Sequence, residues 1–262
     1  MNHYDLSGKV AMITGAGTGI GRATALELAK SGADVILCAR TLEKLKSTAD
    51  AIETLGVKAL PIKTDVTNID DINTAVKKGV ETFGHIDILV NSAGHWAPMK
   101  LVDMEPEFWD NMQNTHLRGA VFASKAVARQ MIDKNIHGTI ILMSSQAAKV
   151  GEYGNSAYGS AKNAMHTLCQ CMSLELGEYG INTVTICPGF TYSEMLRDVF
   201  RERSTIEGKS LKDYENALSN TIPMKRFCEC SEIGSLIAFL SSEEASYISG
   251  VTITVAGGNI NI

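Results

Sequence analysis

No run of the 262-residue sequence is apolar for long enough to cross a bilayer. The opening stretch, MNHYDLSGKV, lacks the apolar segment of a secretory signal. A cytoplasmic protein that does not engage a membrane is the resulting expectation. There is also no basic block: 24 Lys and Arg stand against 29 Asp and Glu, for a net charge of −5. That balance disfavours a nucleic-acid or anionic-membrane surface. The six cysteines, Cys38, Cys169, Cys171, Cys187, Cys228 and Cys230, contain no CxxC pair. Cys169 and Cys171 are two apart in a helix-like stretch, so they point to different sides and are poorly placed to share a metal. No metal site is expected, and the thiols are read as buried and reduced. Linkers, low-complexity tracts and internal repeats are missing too. One domain over 1–262 is expected, with 45% apolar residues available to build its core.

What is present alternates. Short β-rich runs occur at KVAMITG, ADVILCA, ALPIKTD, IDILVNS, TIILMSS, INTVTICPG and VTITVAGG. Most are apolar on both faces, as strands buried between two helical layers should be. Helix-like stretches lie between them, including GRATALELAKSG, TLEKLKSTADAIETLG and IDDINTAVKKGVETFG, several closing on Gly. This rhythm predicts right-handed βαβ units and a parallel, doubly wound α/β sheet. The segment 190–226 departs from it, being long, polar and rich in charges such as Arg197, Arg201, Arg203, Lys209 and Lys212. A solvated helix face accounts for those charges by itself. An insertion of this length in a compact domain also suits a substrate-binding lid.

MITGAGTGIGRA places Gly15, Gly17, Gly19 and Gly21 between the first strand and the following helix. Glycines allow a sharp turn and a close ligand approach, and a helix N-terminus favours a pyrophosphate. The spacing G-x-x-x-G-x-G alone is a weak signal, since such turns also serve packing; its position in the first βα unit points to a dinucleotide. An acidic residue about 20 positions further on would bind the adenosine ribose hydroxyls and repel a 2′-phosphate. This chain instead has Ala39, Arg40 and Thr41 there. An arginine fork suits a phosphate, so NADP(H) is predicted over NAD(H), with a plain surface arginine as the alternative.

The stretch SSQAAKVGEYGNSAYGSAKNAM sets Tyr158 one helical turn ahead of Lys162, with Ser145 thirteen residues before the tyrosine. Together with TGAGTGIG (Thr14 to Gly21), DV (Asp65, Val66), NSAG (Asn91 to Gly94) and PG (Pro188, Gly189), this resembles the short-chain dehydrogenase/reductase family along essentially the whole chain. The resemblance implies a single-domain Rossmann fold with seven parallel strands, an NAD(P)(H) cofactor, and interconversion of an alcohol and a ketone. It implies that Tyr158 is the general acid/base, that Lys162 activates it and binds ribose, and that Ser145 orients the substrate oxygen. The implied cofactor-binding set is Thr14, Gly15, Gly17, Thr18, Gly19, Ile20 and Gly21 at the loop, then Asp65 and Val66 at the adenine. Asn91, Ala93, Gly94, Pro188, Gly189 and Ser193 complete it, with Tyr158 and Lys162.

The chemistry is also sensible residue by residue. A tyrosine with an ordinary pKa of about 10 is a poor base near neutrality. A neighbouring ammonium and an oxidised nicotinamide should both favour its phenolate. Ser145 would donate to the same substrate oxygen that Tyr158 protonates. Where the family usually has Asn before L-x-G, this chain has His116, either a water-binding or proton-exchanging member of a relay or a space-filling residue. Ser92 replaces a usual Asn in NSAG.

The substrate is expected to meet Ser145, Gln146, Tyr153, Tyr158, His95, Trp96, Phe190 and Tyr192, with Trp96 and Phe190 equally assignable to the core. A small polar polyol, sugar or hydroxy acid is the first reading; a 3-oxoacyl thioester or a steroid-like alcohol is the second. A non-catalytic NADP(H)-binding regulator is the reading from another class, and the intact Ser145, Tyr158 and Lys162 speak against it. By analogy with the family, a homotetramer or homodimer is expected.

Overall fold

The computed structural model describes residues 4–260, so the extreme ends of the expected 1–262 domain lie outside it. All seven β-rich runs of the sequence form strands of one parallel sheet: β1 (Val10–Thr14), β2 (Asp34–Ala39), β3 (Ala59–Lys63), β4 (Ile88–Asn91), β5 (Thr139–Met143), β6 (Asn182–Pro188) and β9 (Val251–Val255). Their spatial order is β3-β2-β1-β4-β5-β6-β9. Within β1, Ala11 and Ile13 face one apolar core while Val10 and Met12 face another, the two-residue period of a strand buried on both sides.

The first core is closed by α1 (Gly19–Lys30), α2 (Leu42–Glu53) and α9 (Cys230–Leu240), through Leu28, Leu45, Ile52, Ile233 and Ile237. The second is closed by α3 (Ile69–Phe83), α5 (Gly119–Asp133) and α6 (Ser156–Leu176), through Ile72, Val127, Met131, Met165 and Met172. Each fully buried side chain of this size contributes roughly 1.5–3 kcal/mol, which makes these two layers the main source of stability. The expected doubly wound fold is therefore present.

Two local features position the site. The chain leaves β1 toward β2 and β3, then returns to the other side of β1 as β4. That reversal opens a crevice at the carboxyl ends of β1 and β4, where α/β sheets bind ligands. Secondly, α4 (Pro106–Gln113) runs into α5 through a π-helical turn, Asn114–Arg118, which turns His116 inward until it is 1% exposed.

The segment 190–226 forms β7 (Thr191–Tyr192), α7 (Glu194–Ile206) and α8 (Leu211–Ser219), with β7 paired to the two-residue strand β8 (Cys228–Glu229). These two short strands were not read from the sequence. The segment packs around Phe200, which lies 5.7 Å from Tyr214 and, just beyond the segment, 5.2 Å from Phe227, ring to ring. Its charges do face solvent, as the exposed Arg201–Asp198 pair at 2.6 Å illustrates.

All six cysteines are free. Cys38, Cys169 and Cys187 are buried as expected, but Cys171 is exposed and Cys228 and Cys230 are half-buried, because α6 turns position 171 outward and the other two lie in the short strand β8 and at the start of α9. Among the described residues no helix is long and apolar enough to cross a membrane, and no group of three His, Cys, Asp or Glu is arranged to hold a metal ion.

Candidate active site

A cavity of about 1210 Å³ occupies the crevice. One end is the turn between β1 and α1. Gly15 has φ +73°, and a Cβ there would lie 2.9 Å from the backbone of Ala93, so a side chain would be both strained and obstructed. Thr14 lies beneath the turn, its hydroxyl oxygen accepting from the backbone N–H groups of Ser92 and Ala93 at 3.1 Å. The first turn of α1 holds no acidic side chain, and Thr18 makes no side-chain cap bond. These unblocked N–H groups at the helix start fit a pyrophosphate.

Arg40, Thr41, Asp65 and Val66 line the same cavity, as do Gly17, Thr18, Gly19, Ile20 and Gly21. Lys44 joins them, a second cation on the first turn of α2 that the sequence reading did not single out. Burial tends to raise the Asp65 carboxyl, but hydrogen bonds from Thr67 and the Arg40 charge together outweigh it and lower its pKa. This end fits the adenosine half of a dinucleotide.

The other end is built on β5, α6 and the loop between them. Ser145 caps a short 3-10 turn, Gln146–Ala148, its Oγ accepting from the Ala147 N–H at 3.2 Å. In the first turn of α6, Tyr158 hydrogen-bonds the Ser145 side chain. The ammonium of Lys162 sits 5.7 Å from the centre of the Tyr158 ring and donates to the Met143 carbonyl at 2.7 Å. The carbonyl of Lys162 in turn accepts from Ser144 Oγ at 2.7 Å. Both contacts tie the lysine to the end of β5. His166 Nε2 lies 3.0 Å from Ser144 Oγ and 3.2 Å from Cys187 Sγ behind it, a cluster not foreseen from the sequence.

Burial works against the expected phenolate of Tyr158. Burial pushes the Tyr158 phenol up to about 12, with the charges of Glu152 and Cys187 adding to the rise and the Ser145 hydrogen bond opposing it. Burial also lowers Lys162 to about 8. The protein's own groups thus keep Tyr158 as a proton donor, because desolvation of the phenolate outweighs the Ser145 hydrogen bond.

His116 packs edge-on against Tyr158, with ring centres 5.2 Å apart. Its Nε2 is 2.8 Å from the His95 carbonyl and 3.5 Å from the His95 N–H; the shorter contact, to a carbonyl that can only accept, assigns the proton to Nε2. Nδ1 is buried without a partner, and burial followed by the Lys162 charge lowers the pKa to about 2. An imidazole this resistant to protonation is a poor carrier of protons near neutrality.

Of the residues expected near substrate, Gln146, Tyr153, His95, Trp96 and Phe190 line the cavity with Ser145 and Tyr158, and so do Ala93, Gly94, Pro188, Gly189 and Ser193. Trp96 and Phe190 are half-buried cavity walls. Tyr192 is not in the wall: its ring stacks on Phe227 at 5.8 Å and its hydroxyl donates to Glu215 at 3.0 Å. Asn91 is also behind the wall, donating to Ser124 Oγ at 3.0 Å. From α7, Leu196, Val199, Phe200 and Arg203 complete the lining, and Arg203 stacks over Trp96 at 5.2 Å. Glu152 and Asn155 complete it beside Tyr158.

Comparison with known proteins identifies the family. The short chain dehydrogenase family model matches residues 9–204. 3-Oxoacyl-(acyl-carrier-protein) reductase FabG of Staphylococcus epidermidis is 33% identical, over 95% of this chain and 98% of that protein. L-Rhamnose 1-dehydrogenase (NAD(P)(+)) of a Sphingomonas strain is also 33% identical, over 97% and 96%. L-Sorbose reductase from Gluconobacter frateurii, solved with NADPH and L-sorbose, superposes with a TM-score of 0.95 at 29% identity, covering 100% of both chains. The chain belongs to the short-chain dehydrogenase family and is an oxidoreductase acting on CH–OH groups.

Proposed function

We propose that the protein interconverts a secondary alcohol and a ketone on a small polar substrate, using NADP(H). The observation that carries this reading is the placement of Tyr158, bonded to Ser145 and set above Lys162, in the wall of the cavity that begins at the glycine turn. A bound nicotinamide would supply or take up the hydride. In reduction, Tyr158 donates its proton to the substrate oxygen, and the Ser145 hydroxyl donates to the same oxygen as negative charge builds there. Lys162 stabilises the phenolate left behind, from a position fixed by its bond to Met143. His116 acts by position: it holds the His95 carbonyl and braces the Tyr158 ring.

Preference for NADP(H) is supported by Arg40 and Lys44 at the adenosine end, two cations suited to a 2′-phosphate. The segment 190–226 is proposed to act as a lid, since α7 already supplies one cavity wall. Assembly into a dimer or tetramer through the outer strand β9, where Val251 is 42% exposed, is part of the same reading.

Following nicotinamide absorbance with a panel of ketones and alcohols, using NADPH, NADP, NADH and NAD in parallel, tests the whole reading. Turnover of polar ketones that is faster with NADPH is expected. Tight cofactor binding without turnover of any compound would favour a non-catalytic sensor instead.

A further inference from the structure

At the wall of the cavity that holds Tyr158, four hydrogen bonds join five side chains into two short chains of donors that converge on Glu152, whose charge acts on the Tyr158 phenol. From one side, Asn259 Nδ2 donates to Gln146 Oε1 at 3.3 Å, and Gln146 Nε2 donates to Glu152 Oε1 at 3.1 Å. From the other, Trp96 Nε1 donates to Asn155 Oδ1 at 2.9 Å, and Asn155 Nδ2 donates to Glu152 Oε2 at 2.5 Å. Gln146 and Asn155 are 7% and 4% exposed, so two buried amides grip a residue that is itself open to the cavity. Among the ion pairs of the described residues none involves Glu152. Each carboxylate oxygen accepts one of these bonds and has capacity for another.

We propose that Glu152 is a specificity-determining residue that accepts a hydrogen bond from a hydroxyl adjacent to the reacting carbon, so that the substrate is a vicinal diol of the polyol or sugar class. This rests on the alcohol–ketone reading above and narrows it. An ionised carboxylate accepts and does not donate. It rewards a neighbouring hydroxyl and repels a neighbouring carboxylate, which disfavours hydroxy acids. A 3-oxoacyl thioester carries no hydroxyl on either carbon beside its reacting carbonyl, and its thioester carbonyl one carbon further only accepts, which leaves the Glu152 oxygens without a donor. Gripping the carboxylate from both sides fixes its direction in advance, which is what discrimination by a single hydrogen bond requires.

The test compares matched probes on the intact protein: 2,3-butanediol, 2-butanol, 3-hydroxybutyrate and 3-amino-2-butanol, oxidised with NADP by wild type, Glu152→Gln and Glu152→Ala. The quantity read is the ratio of kcat/KM for the diol to that for 2-butanol, in which any common effect of the charge on Tyr158 cancels. Wild type is expected to favour the diol, with 3-hydroxybutyrate the poorest substrate. Both variants should lower the diol ratio about tenfold, the loss of one hydrogen bond to a charged group. An unchanged ratio in both variants, with the alcohols still turned over, overturns the assignment and leaves the proposed function standing. Preference for the amino alcohol over the diol also overturns it, because Glu152 would then be pairing with an ammonium. No turnover of any alcohol or ketone would overturn the proposed function and this assignment together.

Discussion

Gly94 and His116 occupy each other's space: a Cβ added to Gly94 would lie 2.5 Å from Cε1 and 2.8 Å from Nδ1 of the His116 ring. The ring in turn fixes the next residue, His95, by its carbonyl. Gly94→Ala should therefore destabilise the protein by roughly 1–3 kcal/mol through overpacking. The same change in a His116→Ala background should cost much less. A double-mutant cycle by urea unfolding measures the coupling, and additive effects would contradict the contact.

His116 also predicts an acid sensitivity. Its folded pKa is lowered from 6.5 to about 2, so between those values the unfolded chain takes up a proton that the folded chain does not. Stability from this group is full above pH 6.5 and falls as the pH drops toward 2. His116→Asn should flatten the decline of unfolding free energy over that window relative to wild type, as measured by denaturant titration at several pH values.

Lys162 predicts an alkaline limit to catalysis. With its pKa lowered to about 8 by burial, the ammonium is lost above that pH and Tyr158 loses the neighbouring cation. The rate of ketone reduction should hold from neutrality to about pH 8 and decline beyond it. Lys162→Arg keeps the charge at all accessible pH values. Its profile, whatever its absolute rate, should lack that decline.

Arg40 sets the cofactor preference. Arg40→Asp removes the guanidinium and adds a charge that repels a 2′-phosphate while accepting from ribose hydroxyls. The ratio of kcat/KM for NADPH over NADH should fall at least about tenfold, the scale of one charge-assisted hydrogen bond. A ratio that does not move would identify Arg40 as a surface residue.

The fold was legible because its signals are local. ILVN and VAMIT are too short and too apolar to be anything but buried strands, and the glycines after VAMIT mark the turn that follows. Tyr158 and Lys162 were legible because four residues make one helical turn. The rest depends on distant parts of the chain meeting. Nothing in NTHLR announces a π-helical turn, so the inward rotation of His116 was out of reach. Tyr192 was assigned to the substrate pocket by proximity in sequence, yet Phe227 and Glu215 draw it away. The gathering of Trp96, Gln146, Asn155 and Asn259 on Glu152 joins residues from separate segments and leaves no periodic trace. The burial that raises the Tyr158 phenol was out of reach for the same reason: the lysine is adjacent in sequence, whereas the desolvation comes from the folded surroundings.

Catalysis here depends on Tyr158 as the group that exchanges a proton with the substrate oxygen. Tyr158→Phe removes one hydroxyl and keeps the ring that packs against His116. Single-turnover reduction of a polar ketone by NADPH should slow by roughly 10²- to 10⁴-fold, the usual contribution of a positioned acid, with NADPH affinity by fluorescence titration largely retained. Reduction at the wild-type rate by the Tyr158→Phe protein would contradict that role.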